Sequence, residues 1–192
     1  GLRWIQNVEW SQAIASLKIA ASIEPREWVV REIQASLAEA LRAAGRFEEG
    51  IKVVEEIYES DPNTRHLNML PLVWDERLPP EYRFAGNPDD LKSMSLIRQL
   101  VTASALLQDS AHEAAAAGVL QTLKTGPRAA LQQLAEAQLW RLRLLHPKTL
   151  LASDTALWMQ RVCDFDKRQR SGPEFLIGRA LRAVHDYDNA ST

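Results

Sequence analysis

Cysteine is almost missing from this chain of 192 residues: Cys163 stands alone, which excludes an internal disulfide and a Cys-based metal cluster. Glycine and proline, at 8 and 9, are too few for a low-complexity chain. No run approaches the roughly 18 uncharged apolar residues of a membrane span. Long Val, Ile and Thr runs are missing while Ala and Leu abound, which favours helix nearly throughout. An excess of one charge is lacking too. A net charge of −2 argues against a strongly basic nucleic-acid platform. What remains is an ordinary globular balance, 46% hydrophobic and 25% charged, with length enough for one sizeable domain or a short solenoid.

Catalytic motifs are scarce as well. His66, His112, His146 and His185 sit in separate segments, without the i, i+4 spacing that places two ligands on one helical face. They read as turn or solvent-facing histidines. Cys163 lacks an activating neighbour and reads as a small core or half-buried residue. No glycine-rich phosphate loop and no nucleophile elbow are present. The carboxylates Glu48 and Glu49, Asp89 and Asp90, and Asp186 and Asp188 lie at helix starts, where the macrodipole accounts for them. The expectation is that the chain is not an enzyme, and that it holds no cofactor and no metal.

Its organising stretch runs from Val29 to Pro62. Val30, Ile33, Leu37, Ala38 and Leu41 recur at three- and four-residue steps and fall on one helical face. Ala43-Ala44-Gly45-Arg46 interrupts, with Gly45 able to take the left-handed turn that ends a helix. Phe47, Gly50, Ile51, Val54, Ile57 and Tyr58 form a second helical pattern, closed by Asp61-Pro62. Ala38 is expected to face Gly50, small against small. Two short helices each apolar on one face require stacked neighbours.

Through Leu37, Ala38, Leu41, Gly45, Arg46, Phe47, Glu48, Glu49, Val54, Ile57 and Pro62, this unit resembles a tetratricopeptide repeat, a helical hairpin of about 34 residues. It departs from the family pattern at Gln34, where Trp is common, and at Gly50, where Ala is usual. The resemblance implies an all-α fold, a right-handed α-α superhelix of antiparallel helix pairs. It also implies that the inner face of the first helix lines a peptide groove. Matching positions are Glu32, Ala35, Ser36, Glu39, Arg42 and Ala43, with Glu39 and Arg42 as polar anchors. A doublet of basic residues that would clamp a carboxylate is not evident.

The remainder follows in order. Trp10, Ala13, Ile14, Leu17 and Ala20 mark an earlier helix that stops at Ile23-Glu24-Pro25. Trp10 matches Phe47, Ala13 matches Gly50 and Pro25 matches Pro62, which leaves room for an extra turn around Arg26-Glu27-Trp28. Residues 1–62 therefore read as tetratricopeptide-like repeats. Residues 63–87 read as an irregular connection rich in Pro and aromatics, with a short helix over 63–72 and aromatics packing back on the helices. The same connection could instead serve as a partner-binding loop.

Residues 88–192 read as further helical pairs. Asn87-Pro88-Asp89-Asp90 opens a helix carrying Leu91 to Ala105, and Ser110 caps an Ala-rich helix over 111–124. Pro127 to Leu145 is apolar on more than one face and so central to packing. Ser153-Asp154 caps a helix reaching Asp166, and a final helix begins at Pro173. Gly178, Leu181, Tyr187 and Ala190 repeat the spacing of Ala38, Leu41, Phe47 and Gly50, which suggests a last unit cut short at Thr192. With Gly1 rather than Met at the start, the chain reads as a fragment of a longer protein whose compartment cannot be told.

Arg141, Arg143, Arg161, Lys167, Arg168, Arg170, Arg179 and Arg182 put basic charge in the last third. They read as a solvated surface with ion pairs to Glu136, Asp164, Asp166 and Glu174, or else as a strip for an acidic peptide or phosphate. The functional expectation is a non-catalytic scaffold holding a protein or peptide on its concave face. One alternative is a regulatory or structural domain of a larger protein, packed on its own chain. The weakest is an RNA-binding helical repeat, against which the near-neutral charge counts.

Overall fold

The computed structural model describes residues 9–61, 88–167 and 170–190, the side chains of 88, 89 and 186–190 excepted. Among them every regular element is helical, nine α-helices and one 3₁₀ turn, so the all-α expectation holds. The chain divides into two compact units, residues 1–72 and 73–192. That division falls inside the 63–87 connection, whose expected short helix and packed aromatics lie outside the described residues.

Unit 1 has three helices, α1 (Trp10–Ile23), α2 (Glu27–Ala43) and α3 (Phe47–Ser60), with α2 packed on both others. The α2–α3 turn forms as the residues require. Gly45 takes φ 76°, the Gly45 N–H bonds the Arg42 carbonyl at 2.9 Å, and the Arg46 N–H bonds the Leu41 carbonyl at 2.8 Å. This is the paired-bond helix stop that needs a left-handed residue after the cap. Gly50 then lies against α2, where a β-carbon would stand 3.3 Å from the Ala38 carbonyl oxygen and 3.7 Å from Leu41 Cβ. Ile14, Leu37, Ala40 and Leu41 form a buried cluster with Leu17 and Val53 against it, joining all three helices. Helices α1 and α3 have 14 residues each, with both ends displaced equally, from 10 to 47 and from 23 to 60. The expected correspondence of Trp10 with Phe47 therefore coincides with the helix boundaries. No extra turn forms at Glu27-Trp28, because both already belong to α2; the connection is only Glu24-Pro25-Arg26.

Unit 2 contains α4 (Pro88–Ser93), α5 (Leu96–Leu106), α6 (Glu113–Lys124), α7 (Ala129–Leu145), the 3₁₀ turn Pro147–Thr149, α8 (Ala152–Val162) and α9 (Ser171–Ala190). The single helix expected from 88 onward breaks at Met94-Ser95. Ser95 caps α5 by accepting the Arg98 N–H at 3.2 Å, and the Gln99 amide donates to the Met94 carbonyl at 2.9 Å. Before α6, Asp109 rather than Ser110 holds the turn, accepting the Ala111 N–H at 3.0 Å. Asp154 caps α8 from its third position by accepting the Leu151 N–H at 2.9 Å, so that helix starts at Ala152 and stops at Val162, short of Asp166.

Helix α7 is central, as its apolar residues on several faces predict, and it packs on α5, α6 and α9. Trp140 on α7 lies between two rings, with centroids 5.2 Å from Trp158 and 5.4 Å from Phe165. Leu150, Val162, Leu176, Ile177 and Ala180 complete this core. Helix α9 begins at Ser171, earlier than Pro173, and runs without interruption to Ala190. The turn that a second repeat needs near residues 184–186 is therefore absent. No glycine stands there to stop the helix, and a β-carbon on Gly178 would meet nothing within 4 Å, unlike one on Gly50.

Candidate functional site

Helix α2 turns Leu37, Ala40 and Leu41 into the unit 1 core and sets Ala38 beneath Gly50. The face left over carries Glu32, Ser36, Glu39 and Ala43, at steps of four, three and four, as one helical face requires. Glu32, Ser36 and Ala43 are exposed and Glu39 is half-buried. Ala35, which the resemblance places beside them, is instead 2% exposed and belongs to the core. The Ser36 hydroxyl donates to the Glu32 carbonyl oxygen at 3.0 Å. Arg42 folds onto Glu39, its Nε donating to Oε2 at 3.1 Å and its Nη2 to Oε1 at 2.5 Å. The two expected anchors thus form a fork-to-fork pair, and a ligand carboxylate or guanidinium would bind by exchanging into it.

Where the first turn of α2 meets the end of α3 there is a cleft of about 520 Å³, lined by Glu24, Glu27, Glu56, Arg31 and Gln34 among others. Arg31 stands 3.9 Å from both Glu27 and Asp61. Arg26 donates to Glu24 at 2.6 Å, and that bond above all holds the Glu24 carboxyl below its ordinary range. At the other end of the hairpin, Arg46 donates to both Glu49 oxygens at 2.6 Å, and Lys18 stands 3.6 Å from Glu49. The Glu49 carboxyl is lowered for the first of these reasons.

The last-third arginines are in part stitched to acids, as a solvated surface predicts. Glu136, 7% exposed, lies 3.1 Å from Arg161 and 3.6 Å from Lys124, tying α7 to α8 and α6. Arg161 also reaches Asp164 at 2.9 Å, and Arg143 reaches Asp154 at 2.8 Å. Arg170 donates instead to the carbonyls of Phe165 and Cys163, at 3.0 and 2.6 Å. Arg168 and His66 lie outside the described residues. His112 contacts Asp109 and His146 contacts Glu113, each at 2.8 Å, and His185 is exposed. Cys163 is exposed, not half-buried, because it falls in the turn that ends α8. Among the described residues no group of three His, Cys, Asp or Glu could hold a metal ion.

One feature was missed from the residues. Arg141, 5% exposed, and Gln138, fully buried, sit inside unit 2, with Arg141 Nη1 donating to Gln138 Oε1 at 3.3 Å. Their register was the available signal, since Leu134, Gln138 and Arg141 follow one another on a single face of α7. Among the described residues no helix is long and apolar enough to cross a membrane. The chain matches no protein-family model, no curated protein and no solved structure.

Proposed function

We propose that the chain is a non-catalytic interaction module, a tetratricopeptide-like right-handed superhelix of antiparallel helix pairs that holds a protein or peptide on its concave face, lined by α2. The observation that carries this reading is the α2–α3 hairpin. It joins a left-handed stop at Gly45, one of the residues that carry the resemblance, to a close approach of small Gly50 on Ala38, although the family usually has Ala at that position. The matching lengths of α1 and α3 support a repeating unit, and stacked hairpins of this kind build extended binding surfaces. Glu32, Ser36, Glu39 and Arg42 then offer acceptors and donors to an extended peptide.

The test is a double exchange, Glu39→Arg with Arg42→Glu. This keeps an oppositely charged pair at the same spacing on α2 while inverting its layout. A protein retained from the source lysate by the native chain and lost by the exchanged one supports the reading. Equal retention by both removes the site from this face.

A second reading is a structural domain that packs against its own polypeptide. It is favoured by the apolar residues exposed on α9, Phe175 at 66% and Leu181 at 44%. Under that reading no separate protein is retained by either form.

A further inference from the structure

We propose that α9 is a docking surface for a second copy of this chain, the two α9 helices crossing antiparallel at Gly178. The surface is independent of the α2 face. It assigns exposed Phe175 and Leu181 to a contact between copies rather than within one polypeptide.

Helix α9 has two faces. Pro173, Leu176, Ile177 and Ala180 are buried in unit 2. Glu174, Phe175, Gly178, Leu181 and Arg182 are exposed, and at 3.6 residues per turn all lie within about 60° of the direction of Gly178. A glycine in the body of a helix weakens it, and its use is to let another backbone come close. Gly50 does this with α2 against it. On Gly178, a β-carbon would meet nothing within 4 Å among the described residues, so the approach it permits is with a surface outside the protomer.

That the outside surface is a second copy follows from how charge and apolar groups are laid out. A two-fold crossing at Gly178 sets each residue level with the one equally far on the other side of Gly178 in the partner helix. Leu181 is three residues after Gly178 and Phe175 three before, so the two apolar side chains share a layer, twice over. Arg182 is four after and Glu174 four before, so a base shares a layer with an acid, again twice. A parallel crossing would set acid level with acid and base level with base. The face is thus complementary to itself in one orientation. Arg182 has an interaction within its own protomer as well, so the charges fix orientation while Phe175, Leu181 and the close backbones supply the adhesion. A single helix crossing buries less than a standard interface, which puts the dimer in the micromolar range.

The experiment is sedimentation velocity on the full chain across the micromolar range. The mass is expected to rise with concentration from 21.6 kDa toward twice that value. Gly178→Glu sets two like charges together at the crossing and is expected to weaken association by about tenfold or more. Glutamate is a good helix former at an exposed position, so the thermal melt of that variant at monomer concentration should not fall. Glu174→Arg and Arg182→Glu each put like charges in one layer. Each alone is expected to stay near 21.6 kDa where the native chain pairs, whereas an equal mixture of the two restores opposite charges and associates. A native chain that stays at 21.6 kDa throughout leaves the face to its own polypeptide or to a different protein and overturns the proposal. So does association unchanged by Gly178→Glu, or charge variants that pair no better mixed than alone.

Discussion

Gly50 approaches Ala38 so closely that a β-carbon on Gly50 would sit 3.3 Å from the Ala38 carbonyl oxygen. That contact is tight but not closed, and the neighbour is backbone, which yields only by a small shift of α3. Replacing Gly by Ala inside a helix gains about 1 kcal/mol of propensity. Gly50→Ala is therefore expected to leave stability within about 1 kcal/mol of the parent, whereas Gly50→Leu, which must force the helices apart, costs about 1–3 kcal/mol. Equilibrium urea unfolding of both variants checks the pair.

Gly45 makes the opposite demand. Nothing lies within 4 Å of its missing side chain, yet its φ of 76° is a conformation that L residues adopt at a cost. Gly45→Ala is expected to destabilise unit 1 by about 1–2 kcal/mol. Gly45→Asn, whose side chain tolerates this region, should cost less. Amide hydrogen exchange across α2 and α3 reads the difference locally.

The stack at the heart of unit 2 couples its residues. Trp140→Ala and Trp158→Ala are each expected to cost about 3–5 kcal/mol by leaving a large cavity. Because the rings share a contact, with planes 8° apart, the double variant should lose less than the sum of the two. Thermal unfolding of the four forms in a double-mutant cycle measures the coupling.

How much of this was legible follows from where each determinant resides. The Gly45 stop, the Gly50 approach and the His146-Pro147 end of α7 are local, because a few adjacent residues carry the chemistry. The break at Ser95 was hidden, because the apolar spacing from Leu91 to Val101 runs straight through it while a single hydroxyl and the Gln99 amide decide the outcome. The spacing of Gly178, Leu181, Tyr187 and Ala190 suggests a unit cut short, yet α9 is uninterrupted because no glycine or proline stands at 184–186 to end it. The exchange between Glu39 and Arg42 is a matter of side-chain rotamers, which is not a property of any one stretch.

Asp154 gives unit 2 a pH dependence. Its carboxyl is held below its ordinary value, first by the Leu151 N–H and then by Arg143, against the opposing effect of burial. A carboxyl lowered in the fold contributes stability that is present above its unfolded value, about 3.9, and is lost as pH falls through the folded one. Asp154→Asn is accordingly expected to cost up to about 1 kcal/mol at pH 7, with the gap between parent and variant closing as the pH falls through the lowered folded value. Paired melts from pH 7 to pH 2.5 test the sign.

The central claim, that α2 presents the binding face, is tested most directly by photo-cross-linking. A benzophenone amino acid placed at Ser36, exposed in the middle of that face, is compared with one at Gln160, exposed on α8. The expected result is a covalent adduct to a second polypeptide from position 36, lost on the Glu39→Arg, Arg42→Glu exchange, and none from position 160. An adduct from position 160 alone, or a position 36 adduct that survives the exchange unchanged, would contradict it.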